Sequence, residues 1–433
     1  MKYIIKPSQH VAGEIVVPGD KSISHRAIML ASIANGTSTI TGFLEGDDCL
    51  ATLGAFKKMG VEIEQESTGV VTVKGVGKRN LLQPVDRLDL GNSGTSMRLM
   101  AGLLSGQPIS TELVGDQSLM KRPMRRVCDP LSEMGARVST ASDGTPPIEI
   151  HPVKQLNAIS YRLPVASAQV KSAILFAALY AQGKTEVFEP KPTRDHTERM
   201  LQSFSYPIEV SSSYIALEGG VDLQPTDIQV PADISSAAFF IVAACIAREG
   251  ELTMHNVGIN PTRTGVLDIL QAMNASIDIS SKSMMGGEPV ATITARTSQL
   301  TGIDVPPHLV PSAIDEFPII CIAAACAKGV TRITQAEELR VKESDRIKQM
   351  ADGLTALGIE IEEFHDGLSI TGGEFSGGSI ESGHDHRIAM SFAIASLRAS
   401  NEIEISDCEN VATSFPGFSE IAQRLGLQLS AVS

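Results

Sequence analysis

Positively charged side chains stand at or near the openings of several segments that are otherwise apolar. These cations are Lys21, Arg26, Arg98, Lys171 and Arg387. A helix N-terminus carries a partial positive charge and unpaired N–H groups, so it attracts anions and disfavours cations. A neighbouring carboxylate can supply the missing charge, and Asp20 and Asp385 are candidates for that role. Because the pattern recurs on several segments, it favours a bound anionic ligand.

The segment RVKESDR adds two cations, Lys342 and Arg346, that are four residues apart. On a helix these two would share a face and repel each other, while Glu343 and Asp345 would point elsewhere. Such a pair is either a solvated charged turn or a clamp for phosphate or carboxylate, to which arginine brings bidentate geometry.

Three further motifs are compatible with an anion site. GNSGTSMR resembles a backbone cradle, because Gly91 and Gly94 allow close approach and Thr95 can donate. GDQSLMKRPMRR and TRDHTER contribute Arg122 and Arg194 among their basic residues. There is no GxxxxGK(S/T) and no convincing GxGxxG, so nucleoside triphosphates and dinucleotides are not supported as ligands.

Two carboxylates and two histidines complete the candidates. Asp315 and Glu316 open the apolar segment VPSAIDEFPIICIAAACA. A carboxylate there either caps a helix or, beside a substrate hydroxyl, serves as a general base. His384 and His386 have no matching third ligand in sequence reach, so we expect no metal site. We expect His386 to bind ligand or to orient Asp385.

These residues lie on a repeated pattern of elements. Six short apolar segments predict helices buried on nearly all sides, and they open at Lys21-Ser22, Gly94-Thr95, Ser167-Ala168-Gln169, Ser235-Ser236, Asp315-Glu316 and His386-Arg387. Amphipathic stretches alternate with them and end in residues suited to the left-handed turn that closes a helix, namely Gly60, Gly135, Ser205, Asn274, Gly358 and Gly426. We therefore predict six copies of a β/α unit.

An internal echo divides these copies into two groups. VPGDKS, from Val17 to Ser22, reappears as VPADIS, from Val230 to Ser235, and proline before a capping residue indicates a strand-to-helix turn. The alternative is coincidence between two common turns. We predict an α/β protein of two similar domains, each with three β/α units around buried helices. The predicted ranges are 20–232 for one domain, and 1–19 with 233–433 for the other.

Composition limits the possible functions. The 433 residues are 42% hydrophobic, which suffices for well-packed cores. A formal net charge of −14 repels nucleic acid. No stretch of 18 uninterrupted apolar residues predicts a membrane span, and the start MKYIIKPSQH does not resemble a secretory signal. The six cysteines form no CxxC pair, which favours a reducing cytoplasm without structural zinc.

Nine motifs taken together resemble, in order, the signatures of the 5-enolpyruvylshikimate-3-phosphate synthase family. They are PGDKSISHRA, GNSGTSMR, GDQSLMKRPM, ASAQVKSA, TRDHTERM, AIDEFP, LRVKESDRI, DHRIAMSFA and TSFPGF. ASAQ, TRDHTE and DEFP look closer to the bacterial class II branch. The resemblance implies three β/α units per domain around parallel helices (an inverted α/β barrel). It also implies transfer of the enolpyruvyl group of phosphoenolpyruvate to the 5-hydroxyl of shikimate 3-phosphate, with release of phosphate and without a cofactor.

The resemblance also implies roles by motif position. Shikimate 3-phosphate would contact Lys21, Ser22, Arg26, Ser167, Ala168, Gln169, Arg194, Asp315 and Lys342. Phosphoenolpyruvate would contact Lys21, Gly94, Arg122, Gln169, Arg346 and Arg387. Asp315 would take the hydroxyl proton, Glu343 would donate or relay a proton at the methylene carbon, and Lys21 would touch both substrates. No metal is implied, the partners would be these small anions, and we expect a monomer.

Some positions depart from the family pattern. Ala168 replaces a serine of class I, and Thr413 stands where class I has a lysine, so no phosphoenolpyruvate role is carried over to it. Gly94 is the class I residue at a position where glyphosate-tolerant class II enzymes have alanine, which leaves inhibitor sensitivity open. The alternatives are a UDP-N-acetylglucosamine enolpyruvyl transferase, whose reactive cysteine loop is not evident here, and a non-catalytic protein that binds phosphorylated metabolites.

Overall fold

The computed structural model describes residues 1–211 and 214–432 as an alternation of short helices and strands. Helices α1 to α13 are Lys21–Ile33, Asp47–Lys58, Gly94–Leu104, Arg125–Glu133, Ala168–Ala178, His196–Ser203, Ile234–Ile246, Gly265–Ala272, Val310–Ala313, Phe317–Ala325, Arg346–Ala356, His386–Ala395 and Phe418–Arg424. Strands β1 to β13 are Lys2–Lys6, His10–Ile15, Asn35–Thr41, Glu62–Ser67, Val70–Val76, Leu88–Asp89, Thr111–Val114, Arg137–Ser139, Ile148–His151, Leu156–Asn157, Ser160–Arg162, Ala181–Gln182 and Lys184–Phe188. Strands β14 to β25 are Ile208–Val210, Tyr214–Glu218, Ile228–Gln229, Glu249–Gly258, Ser276–Met285, Glu288–Arg296, Val330–Ile333, Glu360–Phe364, Gly367–Thr371, Gly378–Glu381, Ile403–Ser406 and Gln428–Val432.

The chain divides into two compact units. The N-terminal unit comprises Gly19–Val230 together with Met285–Gly287. The C-terminal unit comprises Met1–Pro18, Pro231–Met284 and the chain from residue 288 onward. Each unit has an apolar core of its own. Met285–Gly287, at the turn between β18 and β19, belongs to the N-terminal unit, whereas the predicted ranges included these residues in the other domain.

Three similar repeats build the N-terminal unit. Each repeat runs from a buried helix to a strand, then to an amphipathic helix and a β-hairpin. The resulting four-stranded sheets have the orders β16-β3-β5-β4, β6-β7-β9-β8 and β11-β13-β15-β14. In each sheet the first pair is parallel and the other two pairs are antiparallel. Equal topology in three sheets indicates one supersecondary unit used three times.

The C-terminal unit repeats the same element order. Its sheets have the orders β18-β19-β17-β2, β20-β22-β21 and β23-β24-β1-β25. Strand β1, at the start of the chain, pairs antiparallel with both β24 and β25, which come from its end. The last repeat is therefore completed by the first strand of the chain, and this explains why the opening residues belong to the C-terminal unit.

The buried helices form the interior of each unit. Helices α1, α3 and α5 serve the N-terminal unit and α7, α10 and α12 the C-terminal unit, and every residue of α7 is buried. Close packing has a visible cause at Gly102 in α3, where a Cβ would lie 2.0 Å from the carbonyl oxygen of Ala173 in α5. Among the described residues, no helix combines the length and apolar character needed to cross a bilayer.

The predicted turn residues close the amphipathic helices. Their φ angles are 85° at Gly60, 88° at Gly135, 58° at Ser205, 70° at Asn274, 89° at Gly358 and 112° at Gly426. Each follows one of α2, α4, α6, α8, α11 and α13. This left-handed conformation is the one that ends a helix before a new direction, so the predicted pattern of six units is confirmed.

Candidate active site

The start of helix α1 carries predicted binding residues of the N-terminal unit. Asp20 caps this helix by accepting a hydrogen bond from the backbone N–H of Ile23 at 2.8 Å. The Lys21 ammonium forms an ion pair with Asp48 at the start of α2, and 18% of the lysine side chain stays exposed. Ser22 is half-buried beside it. Lys21 is thus oriented by a protein carboxylate and remains accessible to a ligand.

Arg26 lies one turn further along α1 and is buried. Its Nε donates to Thr197 Oγ1 at 2.7 Å, and its Nη2 donates to Ser172 Oγ at 2.9 Å. Its Nη1 donates to the carbonyl oxygen of Ser22, also at 2.9 Å. The guanidinium therefore ties α1 to α5 and α6, and any contact with substrate comes in addition to this structural role.

Gly94 begins helix α3 immediately after Ser93, which caps the helix by accepting from the N–H of Ser96 at 3.1 Å. A Cβ on Gly94 would lie 2.8 Å from Nη1 of Arg98 and 3.0 Å from Nη1 of Arg122. The missing side chain leaves room for two guanidinium groups at one helix start. The sequence indicated close approach at this glycine but not which groups approach it.

Arg122 reaches this helix start from the end of the 3-10 helix Leu119–Lys121. Its Nη2 donates to Asn92 Oδ1 at 2.8 Å and lies 3.4 Å from Ser118 Oγ. Asn92 in turn donates to Asp116 at 2.6 Å. The amide of Asn92 thus helps to orient the guanidinium of Arg122 toward the start of α3.

Helix α5 presents Ser167 and Gln169 to the same region of the N-terminal unit. Ser167 is the capping residue of α5. The side chain of Gln169 accepts a hydrogen bond from Arg98 at 2.7 Å and donates one to Thr95 at 2.9 Å. Gln169 therefore joins the starts of α3 and α5, which carry predicted contacts with both substrates.

Lys171 has a structural explanation that needs no ligand. Its ammonium is buried and lies 2.7 Å from Glu198 and 3.0 Å from Glu189. Burial raises the pKa of Glu198, although Lys171 partly offsets that effect. The expectation that this cation marks a bound anion is therefore wrong, and the neighbouring-carboxylate alternative holds. Arg194, which precedes α6, and Ala168, which begins α5, are both half-buried.

A buried histidine connects three helices of this region. His25 Nδ1 lies 2.8 Å from Thr52 Oγ1, and its Nε2 lies 3.2 Å from Ser93 Oγ. Burial lowers the pKa of His25, and the cations of Lys21 and Arg26 lower it further. A neutral imidazole thus links α1 and α2 to the cap of α3. The sequence did not single it out, because one histidine inside an apolar helix carries no distinctive signal.

In the C-terminal unit, Asp315 lies between two of the predicted cations. Its Oδ1 is 3.6 Å from Arg346 Nη1 and 3.8 Å from Lys342 Nζ. The two cations do not share a helix, since Lys342 follows the 3-10 helix Glu337–Val341 and Arg346 begins α11. The expectation that Lys342 and Arg346 share one face of a helix is therefore wrong. Both cations nevertheless approach the carboxylate of Asp315.

Glu343 also belongs to this cluster. It accepts a hydrogen bond from Arg346 Nη2 at 2.6 Å, so the expectation that it points elsewhere is wrong. Asp345 does point away from the cluster, because it caps α11 by accepting from the N–H of Lys348 at 3.0 Å and pairs with Arg340 at 2.8 Å. Asp315 and Glu343, the predicted base and proton donor, thus both contact the guanidinium of Arg346.

Arg346 owes its fixed position to a third carboxylate, Asp385. Arg346 Nε donates to Asp385 Oδ2 at 2.8 Å, and Ser344 Oγ donates to the same oxygen at 3.0 Å. Burial acts to lower the pKa of Arg346, but the carboxylates of Asp385 and Glu343 outweigh it and raise that pKa. Arg346 therefore stays charged inside the C-terminal unit.

Arg387 lies in the first turn of α12 and has a different counter-charge. Its Nη1 is 3.7 Å from Oε1 of the buried Glu316. Glu316 occupies the residue before α10 but makes no capping hydrogen bond with its side chain. The capping alternative raised for this carboxylate is therefore not supported, and an ion pair takes its place. His386 is buried beside Arg387.

Two carboxylates that the sequence did not indicate lie close to His384 in the C-terminal unit. Ligand atoms of His384, Asp407 and Glu409 lie within 4.8 Å of one another. Glu409 is also paired with the terminal amino group of Met1. The expected absence of a metal site stays a prediction.

Fold and side chains together define a class of protein. Each unit contains three β/α repeats around buried helices. Lysine, arginine and polar side chains lie at helix starts of the N-terminal unit, and Arg346 and Arg387 lie at helix starts of the C-terminal unit. Such helix starts bind small anions, and the carboxylates beside Arg346 can exchange protons. These features are those of an α/β transferase for small anionic substrates, with the architecture of the enolpyruvyl transferases.

Comparison with known proteins narrows the class to one family. The family model described as EPSP synthase (3-phosphoshikimate 1-carboxyvinyltransferase) matches residues 5–421. The 3-phosphoshikimate 1-carboxyvinyltransferase of Hydrogenovibrio crunogenus is 55% identical, with 100% of this chain and 99% of the relative covered. That of Methylococcus capsulatus is 56% identical, with 98% and 97% covered. A solved EPSP synthase from Acinetobacter baumannii is 51% identical, with a TM-score of 0.89 and 100% of both chains covered.

The chain belongs to the EPSP synthase family. The predicted family, the two-domain inverted α/β barrel and the enzyme class, an enolpyruvyl transferase of the shikimate pathway, are confirmed. The roles assigned to single residues remain predictions.

Proposed function

We propose that this chain transfers the enolpyruvyl group of phosphoenolpyruvate to the 5-hydroxyl of shikimate 3-phosphate and releases phosphate. Membership of the family supports the reaction. One observation carries the assignment of residues: Asp315 and Glu343 both contact the buried guanidinium of Arg346, at 3.6 and 2.6 Å. A reaction that removes a proton from a hydroxyl and adds one to a methylene carbon needs two such proton-transfer groups.

Each carboxylate has one proton to move. Asp315 takes the proton of the 5-hydroxyl while that oxygen bonds to C2 of phosphoenolpyruvate, and Glu343 delivers a proton to C3. The tetrahedral adduct then loses phosphate as its C2–O bond breaks, and the proton held by Asp315 passes to the leaving phosphate. The new methyl group returns a proton to Glu343, which restores the double bond. Lys342 and Arg346, at 3.8 and 3.6 Å from Asp315, favour the ionised carboxylate that a base requires.

The two substrates repel each other, and the proposed contacts offset that repulsion with cations and helix starts. We assign shikimate 3-phosphate to the domain of residues 20–232, and we also propose Asp315 and Lys342 as contacts of this substrate. Its contacts in residues 20–232 are Lys21, Ser22, Arg26, Ser167, Ala168, Gln169 and Arg194. We assign phosphoenolpyruvate to Lys21, Gly94, Arg122, Gln169, Arg346 and Arg387. The last two and the proton-transfer carboxylates belong to the domain of residues 1–19 and 233–433.

The proposal includes a monomer that works in the cytoplasm with small anions as its only partners and without a metal or cofactor. None of the six cysteines, all of which lie in the described part of the chain, forms a disulfide bond, which suits a reducing compartment. Light scattering of the purified chain tests the monomer. Activity that is unchanged by a chelator tests the absence of a metal requirement.

Phosphate release from phosphoenolpyruvate by the purified protein tests the function. Release should require shikimate 3-phosphate and should not occur with UDP-N-acetylglucosamine. Release with the UDP-sugar alone would instead identify the related transferase. Binding of both anions without any turnover would identify a non-catalytic binding protein.

A further inference from the structure

Glu316 is a buried carboxylate whose two oxygens have different surroundings. Its Oε1 accepts a hydrogen bond from Ser235 Oγ and lies 3.7 Å from Arg387 Nη1 and 3.9 Å from Arg263 Nη2. Its Oε2 is buried and has no hydrogen-bond partner among residues 1–211 and 214–432. The side chain has 0% exposure. An ionised group in such a place needs positive charge nearby, and two arginines share this one carboxylate.

Ser235 and Arg263 fix the carboxylate. Arg263 Nη2 donates to Ser235 Oγ at 2.6 Å, and the serine hydroxyl donates in turn to Glu316. Asp233 accepts from the N–H of Ser235 at 2.8 Å and lies 3.4 Å from Arg263 Nη2. The arginine, the serine and the helix cap form one buried network at the start of α7. Glu316 is therefore held by groups other than Arg387.

Arg387 relies on one carboxylate, whereas Arg346, the other predicted phosphoenolpyruvate contact of this unit, has several. Within the described part of the chain, its guanidinium makes no hydrogen bond to a protein acceptor, and Glu316 is the only carboxylate within 4.0 Å of it. Arg346, by contrast, donates to both Asp385 and Glu343. A separation of 3.7 Å is an ion pair and not a hydrogen bond. The donors of Arg387 thus remain available to a ligand, while charge alone keeps the group in place.

We propose that Glu316 is a positioning residue for phosphoenolpyruvate, holding the guanidinium of Arg387 by charge so that its N–H donors face the ligand. Ser235 and Arg263 fix Glu316 in turn. The inference rests on the proposed contact between Arg387 and phosphoenolpyruvate. It gives the two adjacent acidic residues separate tasks, since Asp315 moves a proton and Glu316 orients an arginine.

The variant Glu316→Gln tests the charge. Glutamine keeps the shape of the side chain and an acceptor oxygen for Ser235. We expect the KM for phosphoenolpyruvate to rise about tenfold and kcat to change less than about threefold, as for a lost ground-state interaction. The Kd of shikimate 3-phosphate, measured by calorimetry, should not change. A lower kcat at constant KM would show that Glu316 acts on Asp315, and a lower KM would show that it competes with the ligand for Arg387. Either result overturns the proposal.

A double-mutant cycle with Arg387→Ala tests whether Glu316 acts through the arginine. Arg387→Ala alone should raise the KM for phosphoenolpyruvate at least about tenfold. Adding Glu316→Gln to it should cause no further rise, and independent effects of the two changes would overturn the proposal. If Arg387→Ala leaves this KM unchanged, the proposed role of Arg387 fails and the role of Glu316 fails with it. If only Glu316→Gln is silent, the contact of Arg387 stands and the positioning role alone is wrong.

Two more variants guard against effects on folding. Glu198→Gln neutralises a buried carboxylate of the N-terminal unit, paired with Lys171 at 2.7 Å, and should leave the KM for phosphoenolpyruvate unchanged. Ser235→Ala removes the donor to Glu316 but keeps the carboxylate charge, and it serves if Glu316→Gln does not fold. It should raise this KM about threefold, the equivalent of a modest hydrogen bond. An unchanged KM in a folded Ser235→Ala protein would show that Ser235 does not help to position Glu316, which would contradict the proposal.

Discussion

Asp385 and Arg346 form a buried ion pair in which Arg346 Nε donates to Asp385 Oδ2 at 2.8 Å and Nη2 approaches Oδ1 at 3.4 Å. The same carboxylate accepts the backbone N–H of Arg387 at 2.9 Å. One aspartate thus orients the side chain of one predicted phosphoenolpyruvate contact and caps the helix that carries another. Removing one partner of a buried pair is costly, and the remaining carboxylates near Arg346, those of Glu343 and Asp315, do not reach its Nε, so Asp385 should contribute more than an ordinary cap.

Asp385→Asn should lower the free energy of unfolding by about 3–5 kcal/mol, because Arg346 would stay charged and buried. Urea denaturation followed by circular dichroism measures this loss. Asp345→Asn is the matched control, since Asp345 caps α11 but is partly exposed and asparagine caps equally well. The control should lose less than about 1 kcal/mol. Equal losses in the two variants would show that the pair with Arg346 adds nothing to the cap.

Asp315→Ala should reduce turnover by about 10²–10⁴-fold, the usual span for loss of a general base. Shikimate 3-phosphate should still bind, because most of its proposed contacts lie elsewhere. Glu338→Gln is the control, since Glu338 also lies 3.8 Å from Lys342 but is not proposed to move a proton. The control should stay within about twofold of the parent in kcat. Unchanged turnover in Asp315→Ala would rule out its role as the base.

Gly94→Ala should weaken phosphoenolpyruvate. The new Cβ would lie 2.8 Å from Arg98 Nη1 and 3.0 Å from Arg122 Nη1, so a guanidinium must move. Overpacking costs about 1–3 kcal/mol, and if that cost falls on the bound state, KM rises about 5- to 150-fold. Gly54→Ala on α2 is the control, because its Cβ would meet nothing within 4 Å. An unchanged KM in Gly94→Ala would show that Arg122 does not bind this substrate in its present position.

Local signals made much of the fold predictable. The left-handed turns at Gly60 and Asn274 were predicted because one residue type at one helix end suffices to indicate them. The buried helices were predicted because a segment such as that following Ser235 is apolar all round. The sequence also contains a signal that a helix begins between Lys342 and Arg346, because Asp345 is a capping residue type and does cap α11. The four-residue spacing of the two cations nevertheless favoured a single helix.

Counter-charges could not be predicted in the same way. Lys171 looked like a cation without a partner, yet Glu189 and Glu198 reach it from segments 18 and 27 residues further along the chain. Asp48 reaches Lys21 from the next helix. Which acidic side chain meets which cation depends on how helices pack, and no local pattern encodes that. The sequence therefore indicated most residues of the candidate site but not what holds them.

Lys342 should give the enzyme a distinctive response to alkaline pH. Burial lowers the pKa of Lys342 below its ordinary value of 10.5, although Asp315 and Glu338 offset part of the effect. Affinity for shikimate 3-phosphate should therefore fall as pH rises through this lowered pKa. Lys342→Arg keeps its charge to a higher pH and should move the fall upward. Lys348→Arg, at an exposed lysine paired with Asp352, should leave it in place.

A change in stability caused by Lys342 cannot explain this loss of affinity. The stability that Lys342 contributes increases with pH over the range in which affinity falls. Between the lowered pKa and 10.5, the unfolded chain binds more protons at this lysine than the folded chain does. The contribution of Lys342 to stability therefore increases with pH over that window, while the cation that would hold the substrate is being lost. KM for shikimate 3-phosphate should be measured against pH in the parent, Lys342→Arg and Lys348→Arg proteins, with thermal unfolding recorded at each pH. If the parent and Lys342→Arg lost affinity at the same pH, another group would be responsible and the proposed contact of Lys342 would be wrong.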